Sequence, residues 1–197
     1  MPKISEISTI INTSLKENVF NTSRFQSAVY YGIADLVKEN INDTVTTKPC
    51  IIANDGECTS VIIDDTYPMQ IYHRIMSLSF EQSTEDNYGE PVRMIKETAT
   101  MSLVLIADRN RLQMDAENIV SAIAANLPPT LTAAELATLG LSSCQIYATG
   151  EAVIDSEVIF NREYRNIEYL LKPNAAMFSI NYLIEMEFSK SCFDICE

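Results

Sequence analysis

Residues 98–129, TATMSLVLIADRNRLQMDAENIVSAIAANLPP, decide the fold class. Thr98–Asp108 is an apolar run of strand type. Arg111–Leu127 then sets Leu112, Ile119, Val120, Ile123 and Leu127 along one side of a helix, and Pro128-Pro129 stops it. A strand feeding directly into an amphipathic helix predicts a sheet packed by helices. Downstream, Thr130–Leu139 reads as a second short helix, capped by Thr130 or Thr132 and ended by Gly140. Ser143–Thr149 is a short strand, and Asp155–Tyr169 is mixed, with helical character, up to the break at Pro173-Asn174. The last strand, Met177–Phe188, alternates Phe178, Ile180, Tyr182, Ile184, Met186 and Phe188 against Ser179, Asn181, Glu185 and Glu187. Strict alternation of this kind marks a half-buried strand with its even-numbered face inward.

Upstream, Ser5–Val19 places Ile7, Ile10, Ile11 and Leu15 on one helical stripe with Ser5 as N-cap. Phe25–Val37 fits either a strand or a helix, and its β-branched and aromatic content favours the strand. Glu39–Thr47 is polar and reads as a loop, followed by a strand at Lys48–Ala53. Asn54-Asp55-Gly56-Glu57 is a tight turn, and Thr59–Ile63 is its return strand. Met69–Glu81 is a long strand with Tyr72, Met76, Leu78 and Phe80 on one face. Gln82–Pro91 is an exposed polar connection, so Met69–Asp108 forms a hairpin with a projecting tip at 82–91. The whole is a single α+β domain over residues 1–197: a twisted antiparallel sheet packed by amphipathic helices.

The composition removes several function classes. A formal charge of −13 repels nucleic-acid phosphate and anionic membrane over any broad surface. Its plainest role is solubility, and lining a path for a polyanion is the functional alternative. No apolar run approaches the length of a membrane span, and the N-terminus has no signal-peptide core. The five cysteines, Cys50, Cys58, Cys144, Cys192 and Cys196, are odd in number and contain no C-x-x-C pair. They read as reduced thiols, not as a disulfide framework.

Candidate chemistry is sparse. His73, the one histidine, needs an orienting carboxylate and a nucleophile to act as a base. Cys50 or Cys58 with Asp64 or Asp65 is the least implausible set, and a hydrogen-bonded structural histidine is the simpler reading. Asp64-Asp65 with Glu57 or Asp55 lacks the register of a calcium loop, so a turn explains the pair. We therefore expect no catalytic, cofactor or metal residues. Arg109 and Arg111, at the strand-to-helix junction, and Arg74 either pair locally or meet acids of a neighbouring copy.

In chain order, the N-terminal helix, Tyr31-Gly32-Ile33-Ala34, Asp64-Asp65-Thr66-Tyr67-Pro68, Ile71-Tyr72-His73-Arg74 and the strand–helix block Met101–Leu127 resemble one family. It is that of the tail-terminator and neck-ring proteins of tailed bacteriophages, particularly the ring proteins of crAss-like podoviruses. The likeness covers about three quarters of the chain, and 143–173 stands outside it as an insertion. It implies a non-enzymatic virion protein that closes with copies of itself into a twelve- or six-fold ring in the neck or tail. Portal, ring or tail proteins would be its neighbours, and DNA would pass through the lumen without specific binding. Assembly would take place in the host bacterial cytoplasm. Arg74, Glu85, Asp86, Tyr88, Arg109 and Arg111 are the subunit-interface candidates. An acidic adaptor or protein-binding module of the cytosol is the alternative.

Overall fold

The computed structural model describes all residues except 1, 42, 53–56, 65, 88–89, 113–114, 167–173 and 190–197. Helix α1 (Pro2–Asn18) leads through a 3-10 turn (Ser23–Phe25) to β1 (Val29–Ile41), β2 (Thr44–Ile52) and β3 (Cys58–Ser60). The long strands β4 (Met69–Asn87) and β5 (Glu90–Asp108) follow. Then come α2 (Arg109–Leu112), α3 (Ala116–Ala125), α4 (Ala133–Leu139), β6 (Ser143–Val153), α5 (Ser156–Glu163) and β7 (Ala175–Ser189). The strands form one seven-stranded sheet in the order β3-β2-β1-β4-β5-β7-β6. The α+β class is as read from the sequence. The sheet is mostly antiparallel, not wholly so, because β1 runs parallel to β4.

Strand β1 changes partners along its length. Val29–Ile33 pairs with β4, with a register shift between Tyr30 and Ile33, and Ala34–Ile41 pairs with β2. The outer end of β1 therefore leaves the main sheet and carries β2 and β3 over one of its faces. On that face Ala34, Val61, Tyr72, Val104, Ile106 and Met177 form a core with Ile159, Phe160 and Tyr164 of the α5 region. On the opposite face α1, α3 and α4 cover the larger core. Ile4, Ile7, Ile11 and Leu15 of α1 meet Ile71, Leu103, Leu105, Phe178, Ile180 and Ile184 there, all fully or almost fully buried. The alternating residues of β4, β5 and β7 thus serve two cores, one on each side.

Several boundaries depart from the sequence reading. Residues 39–47 are not a loop: β1 runs to Ile41 and β2 starts at Thr44, with Asp43 turning at φ 61°. Asp tolerates that left-handed conformation, and Lys48 pairs with Glu39 across the ladder at 3.0 Å. Residues 82–91 are likewise mostly strand, since β4 reaches Asn87 and β5 begins at Glu90. A polar composition does not exclude a strand. Ser5 lies inside α1 and is not its cap; its carbonyl accepts from the Ser8 hydroxyl at 2.7 Å.

The helix expected over 111–127 is two helices, because Asp115 accepts from the Asn118 N–H and starts α3 anew. Helix α4 follows the expectation closely, with a Thr132–Glu135 capping box and Gly140 in the left-handed conformation at φ 62°. The expected insertion at 143–173 supplies β6 at the sheet edge beside β7 and α5 over the second core; the turn at 54–56 lies outside the described residues.

One residue of register corrects the face of β4. A shift between Ile75 and Ser77 makes Met76 a bulge, so Tyr72 packs into the second core while Leu78 packs toward the first. Tyr72, Met76, Leu78 and Phe80 do not share a face.

Candidate functional site

His73 lies on β4 under α1 and is completely buried. Its Nε2 is 2.9 Å from Asn12 Oδ1, and its Nδ1 is 2.8 Å from the Tyr182 hydroxyl. Asn12 Nδ2 donates to the Tyr31 carbonyl at 2.8 Å, which leaves Oδ1 as the acceptor. His73 Nε2–H therefore donates to Asn12, and the Tyr182 hydroxyl donates to Nδ1. The ring is neutral: burial pushes its pKa down to about 3. Burial likewise pushes the Tyr182 phenol far above its ordinary value. Both nitrogens are occupied, so this histidine ties α1 to β4 and β7. Cys58, its suggested nucleophilic partner, is disulfide-bonded to Cys50.

That disulfide corrects the expectation of reduced thiols. Strands β2 and β3 pair Cys50 with Ser60 and Ile52 with Cys58, which sets the two cysteines diagonally with Cα atoms 5.6 Å apart. The pairing is a consequence of the hairpin, which cysteine spacing along the chain does not encode. Cys144 is a free, buried thiol, pushed up to about 11 by burial.

On the other face of the sheet, Glu163 of α5 is a fully buried carboxylate. Its Oε1 accepts from Arg74 Nη1 at 2.8 Å and from Arg162 Nε at 2.7 Å, and its Oε2 accepts from the Tyr72 hydroxyl at 3.2 Å. Arg162 reaches on to Ser179 Oγ at 3.1 Å, which lies 2.9 Å from Ser102 Oγ. Two guanidiniums offset the cost of burying one carboxylate. Burial and the Glu163 charge hold the Tyr72 phenol well above its usual range. Arg74, an interface candidate, is thus engaged within its own chain.

Arg109 and Arg111 sit at the end of the sheet where β5 enters α2. Arg109 reaches Ser156 Oγ at 3.4 Å beside a cavity of about 290 Å³ lined by Leu112, Ile154 and Phe178. Arg111 donates to the Thr66 carbonyl at 3.2 Å and pairs with Asp108 at 3.4 Å. Asp64 accepts from the Thr66 N–H at 2.8 Å, the turn expected there, and Asp65 lies outside the described residues. Among the described residues no three His, Cys, Asp or Glu side chains come together as a metal-binding group. Glu85 and Asp86 lie near the end of β4, in register with Val92 and Pro91; Tyr88 is outside the described residues. The six interface candidates therefore do not converge: Arg74 is internal, the other arginines sit at one end of the sheet, and the acids lie toward the other.

Sequence reasoning missed Asn12, Glu163 and Tyr182 as polar partners. Asn12 and Ser8 do leave a trace, since both fall on the apolar side of α1 and both are buried. It also missed how open the outer half of β4 is. Beyond His73 no described strand pairs with its outer side, and Met76 to Ser83 are exposed except for half-buried Leu78. Met76 and Phe80 expose about half of their surface there, at 46% and 51%. No family model matches the chain, and no curated protein matches its sequence. No helix is long and apolar enough to cross a membrane.

Proposed function

We propose that this chain is a structural virion protein of a tailed bacteriophage. Copies of it form a closed ring in the neck or tail that joins portal to tail around the DNA channel. The observation that carries this reading is the outer half of the β4–β5 hairpin. It is a long polar arm with two exposed apolar side chains, and its outer strand edge has no described partner within the subunit. An open strand edge with exposed apolar side chains beside it is suited to gripping a neighbour. The α+β class, a mostly antiparallel sheet with helices, is compatible with this reading. In this reading the chain has no catalytic, cofactor or metal site, and its acidic surface keeps DNA phosphate from adhering.

Electron microscopy and native mass measurement of the purified protein test the reading. Discrete closed rings are expected, of six or twelve copies. A protein that stays monomeric at high concentration points instead to the acidic adaptor.

A further inference from the structure

Among the described residues the sheet has open edges on two sides. One is the outer side of β4 from Ser77 onward. The other is the outer side of β6. Its first part is covered, because Ile146 N–H donates to the Pro129 carbonyl, Thr130 Oγ1 donates to the Cys144 carbonyl, and Thr130 bridges Gln145. From Tyr147 to Val153 no described strand lies beside it, and Tyr147, Thr149, Gly150, Glu151 and Ala152 are exposed; its pairing with β7 shifts register between Ala148 and Ala152, where Gly150 has φ 82°.

Strand directions make these two edges complementary. β5 is antiparallel to β4, β7 to β5, and β6 to β7, so β6 runs opposite to β4. Two copies set edge to edge with their sheets facing the same way therefore bring β6 of one antiparallel to β4 of the next. Antiparallel pairing is the more stable ladder. Because the two edges differ, the contact is head-to-tail, and a head-to-tail contact closes into a ring when its rotation divides a full turn. The β4 edge also lacks the usual guards against pairing. Ser77–Ser83, SLSFEQS, has no lysine, arginine or proline and only one charge, Glu81. Exposed Phe80 within it and Met76 beside it supply apolar surface for a partner to cover.

We infer that the open edge of β4, from Ser77 toward Asn87, pairs with the Tyr147–Val153 edge of β6 in a second copy of this chain. The inference rests on the ring reading and names the contact that would build the ring.

Hydrogen exchange on the full chain, assembled and diluted to monomer, reads the contact directly. Outward-facing amides within Ser77–Ser83 and Tyr147–Val153 should exchange about tenfold or more slower in the assembly. The double variant Met76→Lys, Phe80→Lys changes only exposed side chains, so it should keep its circular dichroism and lose self-association. A Ser79→Cys copy mixed with a Thr149→Cys copy should cross-link to the other variant well above either variant alone. If copies assemble while both edges exchange as fast as in the monomer, the contact is elsewhere; this inference falls and the ring reading stands. If the parent chain never self-associates, both fall.

Discussion

Both ring nitrogens of His73 are spoken for, and protonating Nδ1 would set an N–H donor against the Tyr182 hydroxyl in a buried site. The folded pKa of about 3 lies below the ordinary 6.5, so between those values the unfolded chain binds a proton that the folded chain refuses. The stability from neutral His73 is therefore complete above about pH 6.5. It is lost as pH falls toward 3, at up to about 1.4 kcal/mol per pH unit. Thermal melts of wild type and His73→Gln between pH 7 and pH 4 check this, the variant showing the shallower acid loss. An identical slope in both would mean that His73 is not buried neutral. At pH 7 the substitution should cost about 1–3 kcal/mol, because Asn12 and Tyr182 lose a buried partner. Glu163 is the other residue on which much depends. Glu163→Ala leaves the Arg74 and Arg162 guanidiniums without their carboxylate and should cost about 3–5 kcal/mol in denaturant unfolding. A cost below about 1 kcal/mol would show that water replaces the pair easily.

Strand β7 is the element that the sequence describes most faithfully. Its even positions from Phe178 to Phe188 are buried, and Glu185 on the other face bonds Tyr147 and Lys96, which hold its carboxyl below the usual range. Ile184→Ala should therefore lose about 2–5 kcal/mol by thermal or urea unfolding, through lost burial and a residual cavity. A change within surface noise would place that face outside the core. Period-two alternation is legible because the odd-numbered side of β7 is partly open to solvent from Asn181 onward. β4 was harder to read, since a one-residue bulge at Met76 exchanges faces without changing composition. Polar stretches 39–47 and 82–91 read as loops because polar hairpin strands and loops draw on the same residues. Buried polar partners such as Asn12, Tyr182, Glu163 and Arg74 are far apart in sequence, so only the fold joins them. The same holds for the Cys50–Cys58 bridge. It closes a short loop across β2 and β3, and its reduction should cost about 2–3 kcal/mol of stability through the added freedom of the unfolded chain. Melting with and without reductant, with Cys50→Ser/Cys58→Ser as control, reads that cost. Equal melting temperatures would mean the bridge contributes nothing to stability.

At the scale of the molecule, charge decides how the surface meets DNA. The chain carries −13, and several of its cations are already held by its own acids. Glu163 holds Arg74 and Arg162, Glu39 holds Lys48, Glu185 holds Lys96 and Asp108 holds Arg111. Binding to duplex DNA gains most of its free energy from releasing condensed counterions, and that requires cations free to replace them. The purified protein should therefore show negligible binding to duplex DNA at physiological salt, and little more when the salt is lowered. A fluorescence titration over a range of salt concentrations measures both the affinity and its slope. Tight binding that weakens steeply with salt would reveal a basic surface and turn the proposal toward a protein that grips DNA. Weak binding alone fits the adaptor as well as the ring, because both present the same acidic surface. The two separate when the titration is run on assembled particles. A ring around a channel must let the polyanion pass, so ring-shaped particles with no salt-dependent DNA affinity fit the proposed neck subunit, whereas a monomer with no affinity fits the adaptor.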